Sequence, residues 1–185
     1  GNLDWGDKPE NAARLVVMSA GDISFAQGMS LSSATSDLVL SSHQDILMDG
    51  VKLEVSREAI IRGMSDVSLK NIRIGANTMA KIKASRSLNV DGLTFSRGVS
   101  SILMEATTVR LSNVDFPINS MVRLNSLKGP IDGKYPNFGS AIPAAQQIGR
   151  VNFIKNVSSG GNALNTRQAF DQYGQNITIG KIAKP

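Results

Sequence analysis

Among the charged residues of this chain that stand 21 positions apart are Asp45 and Asp66, Lys52 and Arg73, and Arg62 and Lys83. If 21 residues return the backbone to the same place, each pair becomes two neighbouring side chains. Two carboxylates brought together bind a cation such as Ca²⁺ or share a proton. Asp45 and Asp66 are therefore the candidate metal or acid–base residues. Stacked cations repel unless solvent or a ligand neutralises them. Lys52 with Arg73, and Arg62 with Lys83, are thus candidate seats for an anionic glycan. Ser87 and Thr108 continue the Asp45–Asp66 series, so no third carboxylate joins it. Asp49 and Asp91 lie two periods apart and belong to Asp-Gly turns. Glycoside hydrolysis needs two carboxylates flanking a cleft, and this set does not supply them. The acids read as solvated turn residues, and no catalytic residue or cofactor is assigned.

Other chemistries find little material. Histidine occurs once, at His43, in a predicted turn, and cysteine is absent. Disulfides, thiolate metal sites and a nucleophile–base relay through histidine are excluded on those counts. The segment SSGGNA (158–163) is a glycine turn with no following lysine, so it is no phosphate loop.

The elements that must position the charged pairs come from the period itself. Segments 38–58, 59–79, 80–100 and 101–121 align without a gap. Their third position reads Leu40, Ile61, Ile82, Leu103, then Leu124 one period later. The ninth reads Ile46, Val67, Leu88, Val109, and the eleventh Met48, Leu69, Val90, Leu111. The fourteenth reads Val51, Ile72, Leu93, Val114, and the sixteenth Leu53, Ile74, Phe95, Phe116. An earlier unit carries Leu15, Val17, Ile23 and Phe25 in the same columns, then slips by one at Met29 and Leu31. Within each unit the apolar positions come in pairs spaced by two, the strand period. Three short strands then make one triangular rung, and stacked rungs bury a shared aliphatic interior.

A turn signal agrees with the burial signal. The thirteenth position reads Gly50, Asn71, Gly92, Asn113, the residue types that most readily take φ > 0. The predicted fold is all-β: a single-stranded parallel β-helix, or β-solenoid, with 21-residue coils over 15–126. Coils of this length resemble the right-handed form. Residues 1–14 are expected to be an N-terminal cap or linker, with Trp5 as an apolar plug. Residues 127–185 are expected to form an irregular capping region with terminal strands at 150–154 and 176–182. Between those strands TRQAFDQYG (166–174) reads as a short helix capped by Thr166 and ended by Gly174, offering Ala169, Phe170 and Tyr173 for packing.

One outward column is apolar. The second position reads Val16, Val39, Ile60, Lys81, Ile102, Arg123. Such a stripe needs a cover: the C-terminal helix or loop, or else a partner or second copy, which would make Val39, Ile60 and Ile102 an interface.

Composition bounds the partners. Of 185 residues, 41% are hydrophobic and 19% charged, which predicts a packed domain, and no apolar run is long enough to span a membrane. The net charge of +5 is spread over lysines and arginines that never stand side by side, a pattern that predicts no nucleic-acid partner.

Phrases such as VRLSNVDFPINSMVRLNS (109–126) and GRVNFIKNVSSGGN (149–162) resemble segments of very large bacterial β-helix proteins, the filamentous-haemagglutinin-like and FecR-associated surface proteins. The resemblance covers about 15–162. It implies export, a noncatalytic structural or adhesive role at the cell surface, and other surface proteins or glycans as partners. It transfers no catalytic residue. The alternative is a polysaccharide-active solenoid, a lyase or hydrolase, or a glycan-binding module.

Overall fold

A computed structural model describes residues 2–4, 14–33, 37–95, 98–126, 150–164, 170–171 and 174–179. All its regular elements are strands. The first coil holds β2 (Arg14–Ser19), β3 (Ile23–Phe25) and β4 (Ser30–Ser33), preceded by β1 (Asn2–Asp4). The second holds β5 (Asp37–Ser42), β6 (Ile46–Asp49) and β7 (Lys52–Val55). Each later coil has two strands: β8 (Glu58–Gly63) and β9 (Val67–Gly75), β10 (Met79–Ala84) and β11 (Ser87–Phe95), β12 (Ser101–Ala106) and β13 (Thr108–Phe116). In these coils the expected second and third strands run together as one nine-residue strand bent at the Asn or Gly corner. After these come β14 (Met121–Ser126), in the first sheet, and β15 (Arg150–Ser159), in the second.

Two folded sheets result. In the first, β2, β5, β8, β10, β12 and β14 stack in parallel. In the second, β4, β7, β9, β11, β13 and β15 stack in parallel, with β3 and β6 joining on β9. The parallel stack thus continues past residue 126.

The interior consists of files, one residue per coil. Ile23, Ile46, Val67, Leu88, Val109 and Val151 form one by register. Phe25, Met48, Leu69, Val90, Leu111 and Phe153 form another. Phe95 and Phe116 stack with ring centroids 6.3 Å apart. Burying one such side chain is worth about 1.5–3 kcal/mol, so the files dominate the stability of the coils.

The expected third-position file is corrected in one coil. Ile82 pairs with Met104, not Leu103, and Ala80 pairs with Ile102. The files are Leu40, Ile61, Ile82, Met104, Leu124 and Leu38, Ala59, Ala80, Ile102, Val122. Ile102 and Met104 are fully buried and Leu103 is turned outward. The cause is one extra residue between Phe95 and β12, where Val99 turns into the core at 1% exposure. The corner after β12 is one residue shorter and restores the register, so Leu88 again meets Val109 at a spacing of 21.

The ends also differ from expectation. The described residues of the predicted helix at 166–174 are strand: β17 (Phe170–Asp171) and β18 (Gly174–Ile179) pair as a hairpin, and β18 runs antiparallel along β14. Nine residues are too few to hold a helix without tertiary support, and an open sheet edge offers backbone partners instead. Thr166, Ala169 and Tyr173 lie outside the described residues. On the second sheet β16 (Asn162–Ala163) folds back on β15 through Gly160 and Gly161, both at positive φ. Antiparallel strands therefore border both sheets at this end, and the outermost, β16 and β17, are two residues long, a length that offers little edge for further pairing. At the other end β1 adds in parallel to β4, so part of the 1–14 cap is strand. Trp5 lies outside the described residues.

Candidate functional site

The corners determine what the acidic residues do. Asp22, Asp45 and Asp66 each stand just before a strand of the second sheet. The Asp45 N–H donates to Asp22 Oδ1 at 3.1 Å, the Asp66 N–H to Asp45 Oδ1 at 2.9 Å, and the Ser87 N–H to Asp66 Oδ1 at 3.0 Å. Each carboxylate thus caps a backbone donor one coil further on, which stacked corners would otherwise leave to solvent. Arg86 also donates to both oxygens of Asp66. Those hydrogen bonds hold the Asp66 carboxyl below its ordinary range, against the opposing effect of burial. The candidate pair Asp45 and Asp66 is brought together, with backbone and guanidinium as partners. No group of three or more metal-ligating side chains occurs among the described residues.

A second set of carboxylates holds the bent corner. Gly28, Gly50, Asn71, Gly92, Asn113 and Asn156 all have φ between 48° and 82°. Asn71 Nδ2 donates to Asp49 Oδ1 at 3.2 Å, and Asn113 Nδ2 to Asp91 Oδ1 at 2.6 Å. A coil with Asp-Gly at this corner is therefore tied to a following coil with Asn. His43 lies in a bend and is exposed.

The two basic pairs have different surroundings. Lys52 and Arg73 are register neighbours on β7 and β9. Glu54, largely buried, lies 3.7 Å from Lys52 Nζ and 3.6 Å from Arg73 Nε, so both cations share one anion.

Arg62 and Lys83 are neighbours on the outer face of the first sheet, where register gives two outward columns. One reads Val16, Val39, Ile60, Lys81, Leu103, Arg123, and the other Met18, Ser41, Arg62, Lys83, Glu105, Asn125. The apolar stripe is thus real over Val16, Val39 and Ile60. Ile102 leaves it for the core, and Leu103 takes its place. Arg62, Lys81, Lys83, Glu105 and Ile60 line a depression of about 400 Å³. Lys83 Nζ donates to Glu105 Oε1 at 2.6 Å. Three cations face one carboxylate there. A separate shallow trough on the second sheet, of about 230 Å³, is lined by Ser68, Lys70, Asn89, Asp91, Arg110 and Ile154 among others.

Sequence spacing did not reveal Glu105 or Arg86. Glu105 stands 22 residues after Lys83, and Arg86 stands 20 after Asp66. Neither falls on the 21-residue period. Asp22 lies 23 before Asp45, because the first coil is longer.

Comparison with protein-family models, with curated proteins and with solved structures finds no match to this chain.

Proposed function

We propose that this chain is a noncatalytic β-solenoid module of an exported bacterial surface protein, providing rigid length and an adhesive flank. The reading is supported chiefly by how the corner acids are used. Asp22, Asp45 and Asp66 accept backbone N–H groups, and Asp49 and Asp91 accept asparagine side chains. A carboxylate committed to holding adjacent coils in register is poorly placed to move a proton onto a substrate. The sequence resemblance to large bacterial β-helix proteins points the same way.

The second reading, a polysaccharide lyase or hydrolase, draws on the Lys83–Glu105 pair at the depression. Glu105 is the only carboxylate among the described residues that line it, whereas glycoside hydrolysis uses two.

The test is incubation of the protein with acidic and neutral polysaccharides, followed by assays for new reducing ends and for unsaturated uronates. Adsorption without chain cleavage is expected. Cleavage that disappears in Glu105→Gln, Asp45→Asn or Asp66→Asn protein would overturn the noncatalytic reading.

A further inference from the structure

The geometry points to the depression around Arg62, Lys81 and Lys83 as a binding site for an anionic polysaccharide bearing carboxylate or sulfate groups. The inference rests on the adhesive reading above and names the ligand class of that flank.

Arg62 and Lys83 are register partners on adjacent strands, so their backbones stand about 4.8 Å apart. Lys81 is two residues along the same strand from Lys83, about 7 Å away on the same face. The three cations therefore form a compact triangle and not a line. Of these, Lys83 is held by Glu105, and Arg62 Nη2 reaches only the Met64 sulfur at 3.5 Å. Lys81 has no ion pair among the described residues. The triangle carries uncompensated positive charge in a recess, where neighbouring walls reduce screening. Contrast the Lys52–Arg73 pair, whose charge Glu54 already offsets.

The chemistry of the recess selects among polyanions. A polyuronate carries one carboxylate on each sugar ring, and Ile60 and Leu103 flank Lys81 in its column to meet the apolar face of a ring. Single-stranded nucleic acid is held on aromatic platforms. The two outward columns of this face contain no aromatic residue.

Glu105 is a positioning residue. The one-residue register shift of β12 brings it beside Lys83, where it holds the ammonium in place and subtracts charge. Its removal has a sign that a structural role alone does not predict: Glu105→Gln should bind polyanions more tightly.

The experiment is affinity electrophoresis and calorimetry of the intact chain with polygalacturonate, dextran sulfate, neutral dextran and a single-stranded oligonucleotide. The first two separate carboxylate from sulfate as the preferred group. Arg62→Ala and Lys81→Ala should each weaken acidic-glycan binding by about fivefold. Glu105→Gln should strengthen it by about threefold, and Lys52→Ala should leave it unchanged. Circular dichroism spectra identical to the parent's guard against misfolding, and Lys81→Gln serves if the alanine variant unfolds. The inference is overturned if neither acidic glycan is retained, if Lys52→Ala and Lys81→Ala weaken binding equally, or if the oligonucleotide binds more tightly than both glycans. Retention of neutral dextran alone sinks the ligand class and leaves the adhesive reading standing. Retention with cleavage does the reverse.

Discussion

Asp66 and Arg86 are joined by two hydrogen bonds across one corner of adjacent coils, while the same carboxylate caps the Ser87 N–H. The pair links burial, charge and backbone at a single point. Its lowered carboxyl pKa arises first from the Arg86 hydrogen bond. A carboxyl whose folded pKa is depressed contributes stability above its unfolded value, about 3.9, and loses it as pH falls through the folded one. Arg86 is 38% exposed, so solvent screens part of the attraction. Asp66→Asn should therefore cost about 1 kcal/mol at pH 7 in urea unfolding. The difference from the parent should shrink below about pH 4. An unchanged difference at pH 3 would show that charge is not what the pair contributes.

The bent corner separates backbone strain from side-chain bonding. Asn71 has φ 51° and donates to Asp49. Asn71→Ala loses both the tolerance of that conformation and the hydrogen bond, for about 2 kcal/mol together. Asn71→Gly keeps the conformation and should cost about 1 kcal/mol less than the alanine variant. Denaturant midpoints of the two proteins read the difference directly. Equal midpoints would refute the role assigned to positive φ.

These corners also explain what could be read from sequence. Gly50, Asn71, Gly92 and Asn113 were legible because only a few residue types accept that backbone geometry, and five apolar columns were legible because a stacked interior repeats its demands every coil. Leu103 misled because both it and its neighbours Ile102 and Met104 are apolar. An alternation of burial is hard to read where three consecutive residues could each be buried. The 166–174 segment has local helix signals, yet its described residues Phe170, Asp171 and Gly174 lie in a hairpin whose second strand runs on along β14, and a single short window carries no record of that edge. Of the candidate site, the Arg62–Lys83 stack obeyed the period and was visible. Glu105 did not, since its place depends on a one-residue insertion and its later compensation.

The register of β12 has its own test. Met104 lies in the core file with Ile82 and Leu124, and Leu103 faces out beside Lys81. Met104→Lys would bury an unpaired ammonium and should cost more than about 4 kcal/mol or abolish folding. Leu103→Lys should change stability by less than about 1 kcal/mol. Thermal melts of both variants decide between the strand faces. The reverse order of stabilities would restore Leu103 to the interior.

The corner file next to β12 requires small residues, and Gly63 is its tightest point. Ser42, Gly63, Ala84 and Ala106 occupy the same inner corner, and Gly63 is buried. A Cβ at Gly63 would lie 2.8 Å from Val67 Cγ2 and 3.0 Å from the Asp66 carbonyl oxygen. Glycine in a strand normally gains from replacement by alanine, since the unfolded chain loses freedom. Here the carbonyl is backbone and Val67 is fully buried, so neither neighbour can retreat freely. Gly63→Ala should destabilise by about 1–3 kcal/mol. Gly21→Ala, with nothing within 4 Å of the added carbon, should stabilise by about 0.5 kcal/mol. Adding Val67→Ala to Gly63→Ala removes one of the two clashes. The double variant should then lose less than the sum of the single losses in urea unfolding. Strict additivity would mean that the clash with Val67 is not what excludes a side chain at this corner.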